Sequence, residues 1–306
     1  MAEMTVEDLQ DLLWTFAQHR VLTVAGRVGI LRRLAESAAT PDRVATDLKL
    51  DPHAAGKLIR SLHAMGLLTA EGDNYSVVDG LAAHFVPGPK DITPFFEHSH
   101  DMYDSWGQNL EPWLNGEPWR SGARDPESAR RFGAAMRAIG GEIARRTASA
   151  VDTNGVSSVL DVGGGFGQYS IAMCAEEPRL HATVLDTPAV TRLGRLELEG
   201  SDLEERISFL EGDYLTTDYG NGYDLVLIAN VLHQESPLRA AEMVRRSAEA
   251  LAPGGRLAVV DFRIDEQQRE NVFGTLFAVN MRSFGDTYTE PTIRSWMSDA
   301  GLTDLT

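Results

Sequence analysis

Five short segments of this chain carry residues able to do chemistry, and their order is informative. The first is Asp161-Val162-Gly163-Gly164-Gly165-Phe166-Gly167, an acid followed by glycine at alternate positions. Glycine lets the main chain take positive φ and lets a ligand lie against it, and a helix that begins just after such a turn offers free amides. The spacing departs from the Gly-x-Gly-x-x-Gly dinucleotide fingerprint: counted from Gly163, Gln168 stands where the third glycine belongs. The second segment ends at Asp186, whose carboxylate can accept from both hydroxyls of a ribose. The third is Gly212-Asp213-Tyr214, an acceptor for an adenine amino group beside a ring that can pack on the base. Asn230 and His233 form the fourth segment, and Asp261 closes the fifth.

Each of these segments follows a short apolar run that reads as a strand. Strands are expected near 158–162, 181–186, 206–211, 223–230 and 255–262. Helices are expected near 168–176, 188–198, 237–251 and 269–282. Ser236-Pro237 is a helix start by cap and proline, and Thr289-Glu290-Pro291 is another. Alternating strands and helices make a parallel sheet covered on both faces, and ligands of such sheets bind at the carboxyl ends of the strands. All five segments lie at such ends.

The first ninety residues read differently. Leu9, Leu12, Leu13 and Phe16 recur at helical spacing, and Val21 to Leu34 continues as an apolar-rich helix. Thr40-Pro41 and Asp51-Pro52 start two further helices. Leu67-Leu68-Thr69 and Tyr75-Ser76-Val77 bracket the turn Glu71-Gly72-Asp73-Asn74 as a two-stranded wing. This is a winged helix, and its first helices carry more apolar residues than one small core needs, so it is read as a dimerisation module. Residues 91–150 form a helical connector rich in aromatics, expected to act as a substrate lid. The catalytic domain spans 151–306.

Composition limits the partners. The 306 residues carry a formal charge of −17. Residues 1–90 hold 9 basic and 11 acidic side chains, so the remainder carries −15 of that charge. A surface this acidic repels phosphate backbones, so neither nucleic acid nor an anionic membrane is expected as a partner. One cysteine, Cys174, excludes an internal disulfide framework and a cysteine-based zinc site. No apolar run reaches membrane-spanning length, the N-terminus has no signal-peptide pattern, and a cytoplasmic location is expected.

The motifs Leu160–Gly167, Leu185–Val190, Gly212–Tyr214, Val231-Leu232-His233, Leu251–Gly255 and Gly285–Thr289 together resemble those of the small-molecule O-methyltransferases of the plant caffeic-acid type and their bacterial natural-product relatives. The resemblance spans nearly the whole chain. It implies an α/β fold: a class I methyltransferase, Rossmann-like doubly wound sheet with an N-terminal winged-helix dimerisation domain, assembled as a homodimer. It implies S-adenosyl-L-methionine as cofactor and S-adenosyl-L-homocysteine as product. Asp161, Gly163, Gly165, Asp186, Asp213, Tyr214 and Asn230 are then cofactor-binding residues. His233 is implied as general base and Asp261 as its acidic support. A phenol, with pKa near 10, must lose its proton during methyl transfer, and a histidine of pKa about 6.5 suits that task at neutral pH.

The chain departs from the family in two places. The usual His-Asp-Trp reads His233-Gln234-Glu235, and Thr287 stands where a second glutamate is usual, with Asp286 beside it. These departures leave the substrate open and keep C-methylation, or a non-methylating use of the cofactor, as alternatives to O-methylation. A metal site is not expected, because the His-Gln pair supplies one ligand fewer than such a site would use. Phe132, Met136, Asn280, Met281 and Phe284 are expected to line the substrate pocket, and the substrate is expected to be a small aromatic or polyketide molecule. The family's sheet ends in two more strands after the helix that begins near Thr289, whereas the chain stops at Thr306 with room for part of one, so a truncated catalytic domain is expected.

Overall fold

The structure is a computed structural model that describes residues 4–88, 90–120, 126–267, 271–281 and 285–306, with side chains left aside at 126–130. It divides into two compact units, Met1–Ile139 and Gly140–Thr306.

In the first unit, α1 (Val6–Arg27) starts with a reciprocal cap: the Asp8 amide donates to the Thr5 hydroxyl, and the Thr5 amide donates to Asp8. The expected continuous helix from Val21 to Leu34 is instead broken. Gly29 sits at φ 85° between α1 and α2 (Ile30–Glu36), a left-handed conformation that ends a helix and that glycine adopts without strain. Helices α3 (Pro41–Leu48) and α4 (Pro52–Ala64) begin at the two cap-and-proline signals, with Thr40 and Asp51 accepting from Arg43 and Ala54 amides. Strands β1 (Leu68–Glu71) and β2 (Asn74–Val77) pair antiparallel across Gly72, completing the wing. Ile30, Leu31, Leu34, Ile59 and Leu62 form its buried centre. The connector comprises α5 (Thr93–Leu114) and α6 (Pro126–Ala150).

The second unit is built on five parallel strands: β3 (Ser158–Val162), β4 (His181–Asp186), β5 (Ile207–Glu211), β6 (Tyr223–Ala229) and β7 (Leu251–Val260). Their spatial order is β5-β4-β3-β6-β7. The order reverses between β3 and β4 on one side and β6 on the other, and this switch point opens the crevice where ligands of such sheets bind. The inner strands are apolar on both faces because two layers of helix cover them. Val159, Val184, Leu225 and Leu227 face one core, and Leu160, Leu185, Val226 and Ile228 face the other. The connecting helices are α7 (Gln168–Glu176), α8 (Pro188–Leu198), α9 (Pro237–Glu249), α10 (Val272–Asn280) and α11 (Glu290–Asp299). Ser236 precedes α9 as expected, but its side chain makes no capping hydrogen bond.

Strand β7 starts at Leu251, earlier than its expected start at 255. Tyr223 pairs with Leu251, and the next pair is Leu225 with Arg256, so Pro253, Gly254 and Gly255 are absorbed in a bulge. Asp224 fastens the other side of β6. One of its oxygens accepts from the amides and hydroxyls of both Ser157 and Ser158, at 2.8 to 3.1 Å. No described helix is long and apolar enough to cross a membrane.

Candidate active site

The Gly-rich turn joins β3 to α7. Gly163, Gly165 and Gly167 lie at φ 66°, 61° and 81°. A Cβ on Gly163 would come within 2.8 Å of Val231, and one on Gly164 within 2.5 Å of the Asp161 carboxyl. At Gly165 a Cβ would meet nothing within 4 Å. The first two glycines therefore serve close packing, and the third leaves a bare, open stretch of backbone above it.

Two acids border this turn. Asp161 is fully buried beneath it, where its Oδ2 accepts from Ser170 at 2.8 Å and its Oδ1 has no hydrogen-bond partner among the described residues. Burial drives its pKa up to about 6, and the nearby Asp186 adds to the rise. Asp186 accepts from the Gly165 amide at 2.9 Å and from the Thr187 amide at 2.7 Å. Burial also raises its pKa, against those two amide bonds. Each carboxylate oxygen can accept more than one hydrogen bond, so Asp186 keeps capacity for further donors at the end of β4. The bare backbone, the spare acceptor at the strand end and the unpartnered buried oxygen of Asp161 fit the nucleoside and amino-acid parts of S-adenosylmethionine.

Asp213 and Tyr214 follow β5. Asp213 is exposed and accepts from the Leu215 amide at 2.7 Å. The Tyr214 hydroxyl donates to Glu235 at 2.6 Å. Asn230, at the end of β6, has φ 55° and donates to the Tyr169 hydroxyl at 2.6 Å.

His233 sits on a one-turn 3₁₀ helix, Leu232–Gln234, just beyond β6, and Asp261 directly follows β7. Their strands are neighbours, so the two side chains meet: His233 Nδ1 lies 2.7 Å from Asp261 Oδ1, and the two side chains are only 6% and 7% exposed. The same carboxylate accepts from the His233 amide at 3.3 Å and the Phe262 amide at 2.8 Å. A carboxylate only accepts, so Nδ1 carries the proton and the Nε2 lone pair is left to act as a base. Phe262 and Phe277 flank the imidazole, each with its centroid 5.2 Å away, and lie 4.5 Å from each other.

The structure thus brings together His233 and Asp261, and it gathers Asp161, Gly163, Gly165 and Asp186 around the turn. Asn280 and Met281 end α10, the helix that carries Phe277 to the histidine. Phe132 and Met136 belong to the first unit, where Phe132 meets His98 edge-on at 5.4 Å. Phe284 lies outside the described residues. Sequence reasoning missed Phe262, Phe277 and Glu235. The signal for Phe262 was its place next to Asp261. For Glu235 it was the four-residue spacing to Arg239, with which it forms an ion pair.

The Thr287 segment packs against the main chain of the turn that carries the base. A Cβ on Gly285 would lie 2.2 Å from the His233 carbonyl, Thr287 is buried, and the Tyr288 hydroxyl donates to the Glu235 carbonyl.

A family model described as an O-methyltransferase domain matches residues 102–303. The chain is 26% identical to the tetracenomycin polyketide synthesis 8-O-methyl transferase of Streptomyces glaucescens, over 97% of the chain and 91% of that relative. It is 29% identical to the mitomycin biosynthesis 6-O-methyltransferase of Streptomyces lavendulae, over 87% of the chain and 79% of the relative. Among solved structures it is similar to human N-acetylserotonin methyltransferase in complex with its cofactor. The TM-score is 0.87 at 22% identity, covering 100% of the chain and 94% of the human protein, a likeness of fold.

Proposed function

Because the chain belongs to the O-methyltransferase domain family and is an S-adenosylmethionine-dependent O-methyltransferase, we propose that it methylates a hydroxyl of a small aromatic or polyketide natural product, with His233 as general base. The observation that carries the assignment of the base is the His233–Asp261 pair. Its tautomer leaves Nε2 as acceptor in a nearly dry setting.

Bound S-adenosylmethionine supplies a methyl group already activated on a sulfonium. The protein's work is then to place the acceptor oxygen in line and to take its proton. Oriented placement contributes several kcal/mol, and a positioned base typically contributes roughly 10²–10⁴-fold. Nε2 takes the hydroxyl proton as the oxygen attacks, and Asp261 steadies the imidazolium that forms. Phe262 and Phe277 offer faces on which a flat acceptor ring can lie, and they keep water from the base. Asp186 and the Gly163–Gly165 backbone hold the cofactor, with Asp213, Tyr214 and Asn230 completing that side. Asn280 and Met281, at the end of α10, are assigned to the acceptor pocket. The names of the relatives, O-methyltransferases of tetracenomycin polyketide synthesis and of mitomycin biosynthesis, support the substrate class.

The protein is also proposed to work as a homodimer through residues 1–90. Leu9, Leu12, Leu13, Trp14 and Phe16 stand exposed on α1, with Leu13 66% and Trp14 65% accessible, a stripe too apolar to face water alone. Light scattering should give twice the chain mass, and Leu13→Glu should give the single mass.

The reading of the reaction is tested by supplying methyl-labelled cofactor with a panel of phenols and hydroxylated polycyclic acceptors. Label appearing on oxygen supports it. Label on carbon, or an intact cofactor after turnover of the acceptor, refutes it.

A further inference from the structure

Glu235 occupies a place where the family pattern has an aromatic residue, and it is one of the few buried acids outside the cofactor turn. Four groups converge on it, each from a different segment. Its Oε1 accepts from the Tyr214 hydroxyl at 2.6 Å, and its carboxylate is paired with Arg239 on the first turn of α9. Its own carbonyl accepts from the Tyr288 hydroxyl, and its amide donates to the Leu232 carbonyl at 3.0 Å. Tyr288 is held in turn by Trp296 of α11, edge-on at 4.8 Å. Glu235 is therefore tied at its side chain to the loop after β5 and at its main chain to the segment before α11. His233 is two residues away, on the one-turn helix that Glu235 caps.

We propose that Glu235 is a positioning residue for the base: its carboxylate links the Asp213–Tyr214 loop to the turn that carries His233, and so holds the imidazole in register with the bound cofactor. This rests on the reading of His233 as the base. The 3₁₀ turn has only one helical turn of its own hydrogen bonds, so external ties decide where the ring stands. Tyr214 stays a neutral donor because burial, and then its bond to Glu235, raise its pKa above the ordinary phenol value. Arg239 balances the charge of Glu235, so the carboxylate can lie near the base without adding an unpaired negative charge beside Asp261.

The test compares Glu235→Gln, Glu235→Ala and Tyr214→Phe in the full-length enzyme, below the melting temperature of each variant. Displacement of a catalytic group by about an ångström costs up to about 10²-fold. Glu235→Ala should lower kcat by about 10- to 100-fold while KM for the cofactor stays within about threefold. Glu235→Gln, which still accepts from Tyr214, should recover most of the loss. Tyr214→Phe should fall between them. The Nδ1 proton shared with Asp261, read as a downfield NMR resonance assigned through His233→Asn, should weaken or shift in Glu235→Ala and return in Glu235→Gln. Wild-type kcat and an unmoved resonance in Glu235→Ala, with only a lower melting temperature, would overturn the proposal and leave Glu235 a stability residue. If His233→Asn itself turns over at the wild-type rate, the assignment of the base fails. The resonance comparison still decides whether Glu235 positions the ring.

Discussion

Asp261 holds His233 by two handles at once, the ring at Nδ1 and the main-chain amide. One contact sets the tautomer and the other fixes the distance from β7 to the turn. Substitution at the two residues should therefore act differently. His233→Ala removes the base and should lower kcat by about 10²–10⁴-fold with little change in cofactor affinity. Asp261→Asn presents an amide that can donate to Nδ1, which moves the ring proton to Nε2 and closes the lone pair. It should cost at least about tenfold in kcat, although the variant is nearly isosteric. Steady-state rates with an identified acceptor decide this, and an Asp261→Asn enzyme with unchanged kcat would remove Asp261 from the mechanism.

The burial of Asp161 makes stability depend on pH. Its folded pKa is raised from 3.8 to about 6, so the native state holds the proton more tightly than the unfolded chain. This contribution is fully present below pH 3.8 and is lost as pH rises through about 6, an effect of about 3 kcal/mol at full ionisation. Asp161→Asn cannot ionise. Without cofactor, its melting temperature should gain on that of the wild type as pH is raised from about 4 to about 8. A constant offset across that range would mean that the carboxylate is not destabilised by its setting.

Two neighbouring glycines separate folding from binding. Gly164→Ala drives a methyl into the Asp161 carboxyl, and overpacking of this kind costs about 1–3 kcal/mol. Gly165→Ala meets no atom but is strained at φ 61°, a cost of about 1–2 kcal/mol. Its methyl also projects into the space assigned to the cofactor. Calorimetric titration with S-adenosylhomocysteine should show a loss of at least about tenfold in affinity for Gly165→Ala, at a stability cost no larger than that of Gly164→Ala. Full affinity in Gly165→Ala would place the cofactor elsewhere.

Asp224 ties β6 to the start of β3 through four donors on one oxygen. Those amides and hydroxyls hold its pKa down to about 2. The stabilisation is present above 3.8 and is lost as pH falls through about 2. The group lies near the surface, so screening trims its worth. Asp224→Ala should lower stability by about 1–2 kcal/mol at neutral pH, measured by urea titration. The difference should shrink in acid.

The aromatic pair beside the base predicts a split between substrates. Phe277→Ala removes one wall of the His233 pocket and should raise KM for a flat aromatic acceptor by about tenfold, the value of one stacking contact plus its buried area. KM for the cofactor should stay where it was. Equal losses for both substrates would argue that α10 supports the whole site and not the acceptor.

Much of this was legible in the sequence because the signals were local. Cap-and-proline pairs marked α3, α4, α9 and α11, and β-branched runs ending in an acid marked β3, β4 and the site they frame. The misses have physical causes. Gly29 broke the helix expected over 21–34 because a glycine inside an apolar pattern is compatible with either a continued helix or a left-handed stop, and only packing selects one. The early start of β7 reflects pairing with Tyr223 around a bulge, a long-range choice with no periodic trace. Phe277 reaches His233 from α10, and Tyr214 reaches Glu235 from the loop after β5, long-range approaches that spacing alone does not reveal. The family pattern itself drew attention away from Glu235, since the residue usual there is aromatic.

The strand order β5-β4-β3-β6-β7 has a kinetic consequence. No two of these strands are joined by a tight turn, so every rung of the catalytic sheet must wait for a helical crossover to bring distant residues together. The first unit is less demanding: its described strand pair, β1 with β2, is a hairpin and α3 packs on its neighbour α4, although α1 also packs on the distant α5. High contact order slows folding, so the two units should acquire structure on separate clocks, the sheet last. Trp296 is the sole tryptophan of the second unit, while Trp14, Trp106, Trp113 and Trp119 all belong to the first. Refolding followed by fluorescence in wild type and in Trp296→Phe should therefore differ only in a slow phase. A slow phase that survives the substitution would assign the delay to the first unit instead.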